Sequence, residues 1–336
     1  MTTNRNLVAP WVRRFLVEHV VADLNLSRNT QASYRDALGL FLPFAAKEQR
    51  QAVDQLDLEC LSPEIIRLFL GYLEQKRGCS VSTRNQRLAA IHAFARFVGV
   101  RSPEHLNWCA QVAAVPFKRA SKGTVPYLDK PEIDALLAAP DRRTRQGTRD
   151  HVVLLFLYNS GARCEEAARL IVADLDLGSS PAVKILGKGN KLRLCPLWTS
   201  TASTLRALTA GRGAQDRVFL NRRGVPITRF GIYAMVSRYA RQATQSVPSL
   251  GKKRVSPHVI RHTTAVHLLR AGVDINTIRA WLGHVSLDTT NVYAEVDLEM
   301  KAKALSTCEI PGSTSTRPWH RQVGLLSFLR ELQRMT

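Results

Sequence analysis

The chain has 336 residues, more than a single hydrophobic core usually holds, so two domains are expected. Its composition, with 45% hydrophobic and 22% charged residues, is typical of a globular protein and argues against disorder over most of the length. Lys and Arg outnumber Asp and Glu by 48 to 27, and the resulting net charge of +21 predicts a polyanionic partner, nucleic acid above all.

The positive charge is concentrated in the second part of the chain. Residues 1–115 contain 14 basic and 10 acidic residues, whereas the remainder contains 34 and 17. A GC-rich genome also favours Arg over Lys, but it does not explain the scarcity of acidic residues. Binding to nucleic acid is therefore the better interpretation.

The six cysteines contain no C-x-x-C pair, which argues against a zinc site or a disulfide framework and predicts reduced thiols. They are Cys60, Cys79, Cys109, Cys164, Cys195 and Cys308. The N-terminus lacks the pattern of a signal peptide, and the longest apolar run, Val152 to Tyr158, is too short to cross a bilayer. We expect a cytoplasmic protein without a membrane partner.

Residues 1–115 predict a bundle of helices, because apolar residues return every three or four positions. One such series runs from Leu38 to Ala45 and another from Leu88 to Val98. Residues that favour the N-cap mark the starts of three helices, namely Ser27 and Thr30, Ser62 before Pro63, and Ser80 and Ser82.

A basic linker is predicted at residues 116–126, which contain two prolines, a glycine and three positive charges but no apolar periodicity. A second domain is predicted over residues 127–308. It begins with a capped helix at Leu128 to Ile133 and continues with a buried helix at Val152 to Ser160.

Two β-rich stretches interrupt the helices of this second domain. Ala182 to Leu186 and Leu192 to Leu197 flank Gly187-Lys188-Gly189-Asn190-Lys191, which predicts a hairpin with a glycine-rich tip that carries lysine. Helices resume after Arg229 and continue to about Leu305.

Residues 309–336 form a C-terminal extension. A Ser/Thr/Pro/Gly-rich tether at Pro311 to Pro318 precedes a stretch with helical spacing at Trp319 to Met335. This stretch is a candidate docking helix.

Five features of the second domain suit phosphoryl transfer on DNA. They are Arg163 after the buried helix, Lys188 at the hairpin tip, His258 and Arg261 in a His-x-x-Arg motif, His284 in Leu-Gly-His, and Tyr293 nine residues further on. The set resembles the tyrosine recombinase or phage integrase family, whose catalytic residues are Arg, Lys, His-x-x-Arg, His or Trp, and Tyr.

The resemblance covers Tyr127 to about Leu305, with the motifs in family order. Residues from Asn29 to Val98 resemble the helical core-binding domain of the family, through Thr30-x-x-Ser33-Tyr34 and Thr83-x-x-x-Arg87-Leu88. The resemblance implies a mainly α fold. A SAM-like, helical core-binding bundle would precede an α+β catalytic domain of the DNA breaking-rejoining type, with a small β-sheet or hairpin.

The resemblance and the chemistry of phosphodiester cleavage assign a role to each residue. Arg163 and Arg261 hold the non-bridging oxygens of the scissile phosphate, so that no metal or other cofactor is expected. Tyr293 attacks the phosphorus. Because a phenol with a pKa of about 10 is a poor nucleophile at neutral pH, His258 is the candidate base that takes its proton.

Three further assignments follow from the resemblance. Lys188 protonates the leaving 5′-oxygen, His284 hydrogen-bonds the scissile phosphate, and Glu166 orients a catalytic side chain. Six basic residues are predicted to contact DNA, namely Arg84, Arg87, Lys118, Arg119, Lys122 and Lys191.

The sequence therefore predicts a site-specific recombinase, such as the integrase of a mobile element, that acts through a 3′-phosphotyrosyl intermediate without metal or ATP. Double-stranded DNA is the expected partner, and the protein should associate with the nucleoid when bound. The resemblance further implies a homotetramer on two DNA sites, with other recombinases or accessory proteins as additional partners. Two alternatives remain open: a type IB topoisomerase-like activity and a non-catalytic DNA-binding regulator.

Each candidate residue, taken alone, has an ordinary structural interpretation. An arbitrary tyrosine such as Tyr293 more often lies in a core or an interface, and a lysine such as Lys188 is more often a solvated turn residue. His258 and His262 are four residues apart, as zinc ligands can be, but no third ligand is suitably spaced. The agreement of all the motifs in order favours the catalytic interpretation.

Overall fold

The computed structural model describes residues 6–119 and 126–283, and these residues form two compact units. The predictions that concern Lys122, His284, Tyr293 and the C-terminal extension lie outside the described residues.

The first unit, within residues 6–119, is built from helices. Helix α1 spans Val8–Arg13 and continues as π-helical turns over Arg14–Asp23. The helices that follow are α2 Arg28–Gln49, α3 Pro63–Gln75, α4 Val81–Arg101 and α5 Leu106–Ala113.

Serine caps stand at the three predicted helix starts in this unit, whereas Thr30 and Ser82 lie inside α2 and α4. The Oγ atoms of Ser27, Ser62 and Ser80 each accept a hydrogen bond from the backbone N–H three residues later, at 3.3, 3.4 and 3.2 Å. These caps satisfy N–H groups of the first turn that have no partner inside the helix.

Aromatic side chains fill the centre of the first unit. Phe15, Phe41, Phe69 and Phe94 are each at most 1% exposed. Phe15 meets Phe94 edge to face, with ring centroids 5.6 Å apart. This packing holds α4, whose first turns carry two of the predicted DNA contacts.

The second unit combines helices with a small sheet. Its helices are α6 Lys130–Ala138, α7 Arg145–Ser160, α8 Cys164–Arg169, α9 Thr199–Thr209, α10 Arg229–Ala243, α11 Pro257–Arg270 and α12 Ile275–Leu282. Its antiparallel strands are β1 Leu175–Asp176, β2 Ala182–Leu186 and β3 Leu192–Pro196, in the order β1-β2-β3. The expected mainly helical fold with a small sheet is confirmed, although β1, α8 and α9 were not predicted.

Strands β2 and β3 form the hairpin that the sequence predicts. Their residue pairs run from Ala182 opposite Pro196 to Leu186 opposite Leu192. A 3-10 turn at Lys188–Asn190 connects them, and Gly189 in this turn has a φ of 73°. Glycine suits this position, because a left-handed backbone is strained for residues that carry a Cβ.

Helix α7 is the buried centre of the second unit. Every residue from Val152 to Ser160 is buried. The helix packs against α11, where the Thr264 Oγ1 hydroxyl donates to the Tyr158 carbonyl oxygen at 2.7 Å. It ends at Gly161, whose φ of 59° turns the chain sharply just before Arg163.

In neither described range does a helix combine the length and the apolar composition that crossing a membrane requires.

Candidate active site

Arg163 stands at the N-cap of α8, two residues beyond the left-handed Gly161. Its backbone N–H donates to Oε2 of Glu166 and its Nη1 donates to Oε1, each at 2.8 Å. The Glu166 side chain is 6% exposed, whereas that of Arg163 is 36% exposed. The carboxylate therefore fixes the guanidinium from the protein side and leaves part of it facing solvent.

Glu166 also binds Arg193, a residue that the sequence analysis did not single out. Nη2 of Arg193 donates to Oε2 of Glu166 at 2.7 Å, and Nε donates to the Trp281 carbonyl oxygen at 2.9 Å. Arg193 lies on β3 and its side chain is 8% exposed. It shares a buried face of this strand with Cys195, and the sequence pattern did not reveal it, because alternation of apolar and charged residues favours Leu192 and Leu194 on the buried side.

Glu166 stays ionised at neutral pH in this setting. Burial acts to raise its pKa, but the hydrogen bond and charge of Arg193, followed by the hydrogen bonds from Arg163, lower that pKa below its ordinary value. One carboxylate thus lies between two guanidinium groups and holds both.

Arg261, on α11, is the second predicted phosphate ligand and is 1% exposed. Its Nη1 donates to the Gly161 carbonyl oxygen and its Nη2 to the Leu282 carbonyl oxygen, both at 2.6 Å. Gly161 precedes Arg163 by two residues, and Leu282 precedes His284 by two. Arg261 therefore joins its own helix to two other segments that lead into predicted catalytic residues.

His258 lies about one turn before His262 on α11, with the two ring centroids 4.3 Å apart. Burial, and then the positive charges of Arg261 and Arg163, lower the pKa of His258 below its ordinary value. Burial, together with His258 and Arg261, lowers the pKa of His262 to about 4. Both rings are therefore mostly neutral at pH 7, and a neutral imidazole can accept a proton.

These two histidines do not form part of a metal centre among the residues the structure describes. No group of three His, Cys, Asp or Glu side chains in those ranges is arranged to hold a metal ion.

The hairpin tip carries the backbone of Lys188, and the predicted DNA contact Lys191 is exposed beside it. The backbone N–H of Gly187 donates to the Lys191 carbonyl oxygen at 2.8 Å and closes the turn. Among the predicted site residues, the structure brings together Arg163, Glu166, His258 and Arg261. His284 and Tyr293 lie outside the described residues.

Two predicted DNA contacts lie on α4 of the first unit. Nη1 of Arg84 donates to the Pro116 carbonyl oxygen at 3.1 Å, and Nη1 of Arg87 donates to the Ser33 carbonyl oxygen at 3.3 Å. The first contact holds Arg84 near the chain that leaves α5, and the second ties Arg87 to α2.

The segment after α5 carries two more of the predicted DNA contacts. Nζ of Lys118 lies 3.0 Å from Oε2 of Glu74, and Arg119 is exposed. Asn85 binds the Lys118 backbone twice, by accepting from its N–H at 3.1 Å and donating to its carbonyl oxygen at 2.8 Å. The start of the predicted linker is therefore anchored to α4.

Two family models match the sequence. The model described as "Phage integrase family" matches residues 126–300, a range that includes every predicted catalytic residue. The model described as "Phage integrase, N-terminal SAM-like domain" matches residues 13–100, which include α2, α3 and most of α4.

Relatives match most of the chain. A protein of Sinorhizobium fredii described as integrase/recombinase y4rC is 38% identical over 334 residues, which cover 99% of this chain and 100% of the relative. Tyrosine recombinase XerC of Pelobacter propionicus is 32% identical over 287 residues, covering 84% of this chain and 89% of that protein.

Solved structures share the fold. The XerH site-specific recombinase bound to its difH substrate has a TM-score of 0.66 at 19% identity, covering 89% of this chain and 95% of that one. A lambda integrase dimer bound to a core site has a TM-score of 0.63 at 15% identity, covering 85% and 77%. These similarities confirm the fold predicted from the sequence.

Proposed function

The chain belongs to the phage integrase family of tyrosine site-specific recombinases, and we propose that it cleaves and rejoins double-stranded DNA with Tyr293 as the nucleophile. The main support is the hydrogen bond that Nη1 of Arg261 donates to the Gly161 carbonyl oxygen at 2.6 Å, in the turn that leads into Arg163. This bond fixes the Arg261 guanidinium relative to the turn that carries Arg163.

The two arginines are suited to stabilise the negative charge that develops during phosphodiester cleavage. Negative charge builds up on the non-bridging oxygens of a pentacoordinate phosphorus, and fixed N–H donors stabilise it without reorganising during the reaction. Arg163 is the partly exposed donor. Arg261 donates to the Gly161 and Leu282 carbonyl oxygens, and these two bonds hold its guanidinium in place.

Cleavage exchanges one phosphorus–oxygen bond for another. A bond forms between Oη of Tyr293 and the phosphorus, while the bond between the phosphorus and O5′ breaks. The phenolic proton passes to His258, whose lowered pKa keeps it ready to accept. Lys188, at the tip of the β2–β3 hairpin, gives a proton to O5′.

The covalent product conserves the energy of the broken bond. A 5′-hydroxyl attacks the 3′-phosphotyrosyl link, the tyrosine leaves, and the strand is resealed without ATP. If the attacking hydroxyl comes from another duplex, the result is strand exchange. His284 donates a hydrogen bond to the phosphate throughout, and Glu166 holds Arg163 in place.

DNA contacts beyond the scissile phosphate come from both units. Arg84, Arg87, Lys118 and Arg119 in the first unit and Lys191 in the second bind backbone phosphates, as does Lys122. Such contacts position the protein on the duplex and make binding sensitive to salt.

We further propose that four copies act on two duplexes, as family membership implies. The segment after Tyr293, residues 298–305, contacts a neighbouring copy. A chain truncated at Glu295 should bind a single DNA site as the full chain does and lose cooperative assembly on paired sites. Unchanged assembly would refute this part of the proposal.

The direct test uses purified protein, EDTA and labelled DNA from the flanks of its own gene. After denaturation in SDS, the wild-type protein should remain attached to one fragment, and Tyr293→Phe should bind that fragment without becoming attached. A supercoiled plasmid that lacks the flanking sequence should stay supercoiled, whereas a general topoisomerase would relax it. Salt-sensitive binding with no attached protein on any fragment would instead indicate a non-catalytic DNA-binding protein.

A further inference from the structure

We propose that Arg193 is a positioning residue for cleavage, which fixes Arg163 through Glu166 and ties it to the C-terminal end of α12. The inference rests on the proposed function, because it concerns the same site. Arg193 is on β3 and is outside the set of residues that the family motifs pointed to.

Arg193 shares the Glu166 carboxylate with Arg163. The Arg193 guanidinium donates to Oε2 at 2.7 Å, while Arg163 donates to Oε1 at 2.8 Å. Both the Arg193 and the Glu166 side chains are less than a tenth exposed, so solvent screens this pair only weakly. Loss of Arg193 would leave Arg163 to balance the charge of the buried Glu166 carboxylate, and Arg163 would be drawn further toward it.

Arg193 also binds the C-terminal end of α12. Nε of Arg193 donates to the Trp281 carbonyl oxygen at 2.9 Å, in the last turn of this helix. The helix ends at Gly283, which has a φ of 67°, and a Cβ placed there would lie 3.2 Å from Nη1 of Arg193. The guanidinium therefore lies against the residue that precedes His284.

Arg193 further lies close to Gly187, where the hairpin turn begins. A Cβ placed on Gly187 would lie 3.3 Å from Nη1 of Arg193 and 3.4 Å from Oε1 of Glu166. Gly187 is the residue before Lys188. One guanidinium thus lies beside Gly187, which precedes Lys188, and beside Gly283, which precedes His284, and it binds the carboxylate that holds Arg163.

Stability alone does not account for an arginine at this position. Within the described residues, Nη1 of Arg193 is buried and makes no hydrogen bond. A buried donor without a partner opposes folding, and an apolar residue would fill a strand position on the core face at lower cost. What arginine provides is a planar group with several directed donors, which can bind a carboxylate and a carbonyl at once.

The experiment compares Arg193→Gln and Arg193→Lys with wild-type protein on a DNA site that the wild type cleaves. Single-turnover formation of the covalent complex should slow by about 10²-fold in Arg193→Gln, the size of effect expected when a catalytic group is displaced by about 1 Å. Affinity for uncleaved DNA should be unchanged. Lysine keeps the charge but not the fork of donors, so Arg193→Lys should also be slow.

A matched control is available at Arg149, near the start of α7. Its Nε donates to the buried Asp150 at 2.7 Å, and it lies about 17 Å along the helix axis from Ser160. Arg149→Gln breaks a comparable buried ion pair away from the site. It should lower the melting temperature and leave the cleavage rate of folded protein unchanged.

A double-mutant cycle with Arg163→Lys separates positioning from general loss of structure. If Arg193 acts through Arg163, the double variant should cleave no more slowly than Arg163→Lys alone. Wild-type rates in Arg193→Gln, or losses that multiply in the double variant, would overturn the inference. If Arg193→Gln fails to fold, the same two criteria apply to Arg193→Lys. Absence of any covalent product with the wild type would instead refute the proposed function.

Discussion

Nη1 of Arg261 donates a hydrogen bond to the carbonyl oxygen of Gly161 at 2.6 Å, which joins α11 to the turn that leads into Arg163. Nη2 makes an equally short bond to the Leu282 carbonyl oxygen at the end of α12. The two arginines proposed to bind one phosphate therefore differ in kind. Arg261 is a buried structural link, whereas Arg163 is partly exposed.

Replacing Arg261 by Gln should lower both stability and cleavage. The change removes the donors to two buried carbonyl oxygens, and each unsatisfied group destabilises the fold by about 1–3 kcal/mol. The melting temperature should fall by roughly 2–4 °C for each kcal/mol lost. Thermal unfolding of the purified variant measures this directly.

Arg163→Gln is the matched comparison for that prediction. Glu166 keeps its bond to Arg193 in this variant, so the melting temperature should change little while cleavage is lost. Equal losses of melting temperature in both variants would contradict the distinction between the two arginines.

Gly161→Ala should be more destabilising than alanine at another left-handed glycine. Gly161 has a φ of 59°, and a Cβ there would lie 2.4 Å from Cδ2 of Leu282. Gly211 has a φ of 75° with open space around it, so Gly211→Ala carries only the backbone strain of about 1–2 kcal/mol. In denaturant unfolding, the free energy of unfolding should be lower for Gly161→Ala than for Gly211→Ala. The reverse order would show that Leu282 can move aside at little cost.

Cleavage should persist at a lower pH than an ordinary histidine base would allow. Burial and two nearby arginines lower the pKa of His258 below its usual 6.5, so the neutral form needed to accept the tyrosine proton survives as the pH falls past that value. The single-turnover rate at saturating DNA should therefore decline only below pH 6.5. His258→Gln should remove this limb of the profile, and a half-maximal rate at or above pH 6.5 in the wild type would count against His258 as the base.

Glu74→Gln should strengthen binding to uncleaved DNA. Lys118 must leave Glu74, 3.0 Å away, before it can bind a phosphate, and the variant removes this competitor and one negative charge. Lys118→Gln should weaken binding and reduce the slope of log K against log salt by about one. The effect of Glu74→Gln should shrink to that of the lost negative charge when Lys118 is also Gln, and an undiminished effect would mean that Lys118 is not the residue released.

Much of the fold could be predicted because local patterns and tertiary packing agree. Ser27, Ser62 and Ser80 cap their helices as expected, and the Gly187 to Lys191 turn closes the predicted hairpin. Strand β1 was missed because it has two residues and is defined only by its pairing with β2.

The site was harder to predict where burial does not follow the hydrophobicity of the residues. On β3, Leu192 and Leu194 are exposed while Arg193 is buried, the opposite of the order that an alternating pattern of apolar and charged residues suggests. The register with β2, where Ile185 faces Arg193, determines which face is buried, and a single sequence does not reveal it. Motif spacing pointed to Arg163 and Arg261. It did not reveal the hydrogen bond from Arg261 to the Gly161 carbonyl oxygen, two residues before Arg163.

Mass spectrometry of the complex trapped in SDS shows whether Tyr293 becomes joined to DNA. Digestion with nuclease and trypsin should release residues 280–301, a peptide in which Tyr293 is the only tyrosine, carrying a nucleotide through its 3′-phosphate. A nucleotide on any other residue, or one attached through a 5′-phosphate, would contradict the mechanism.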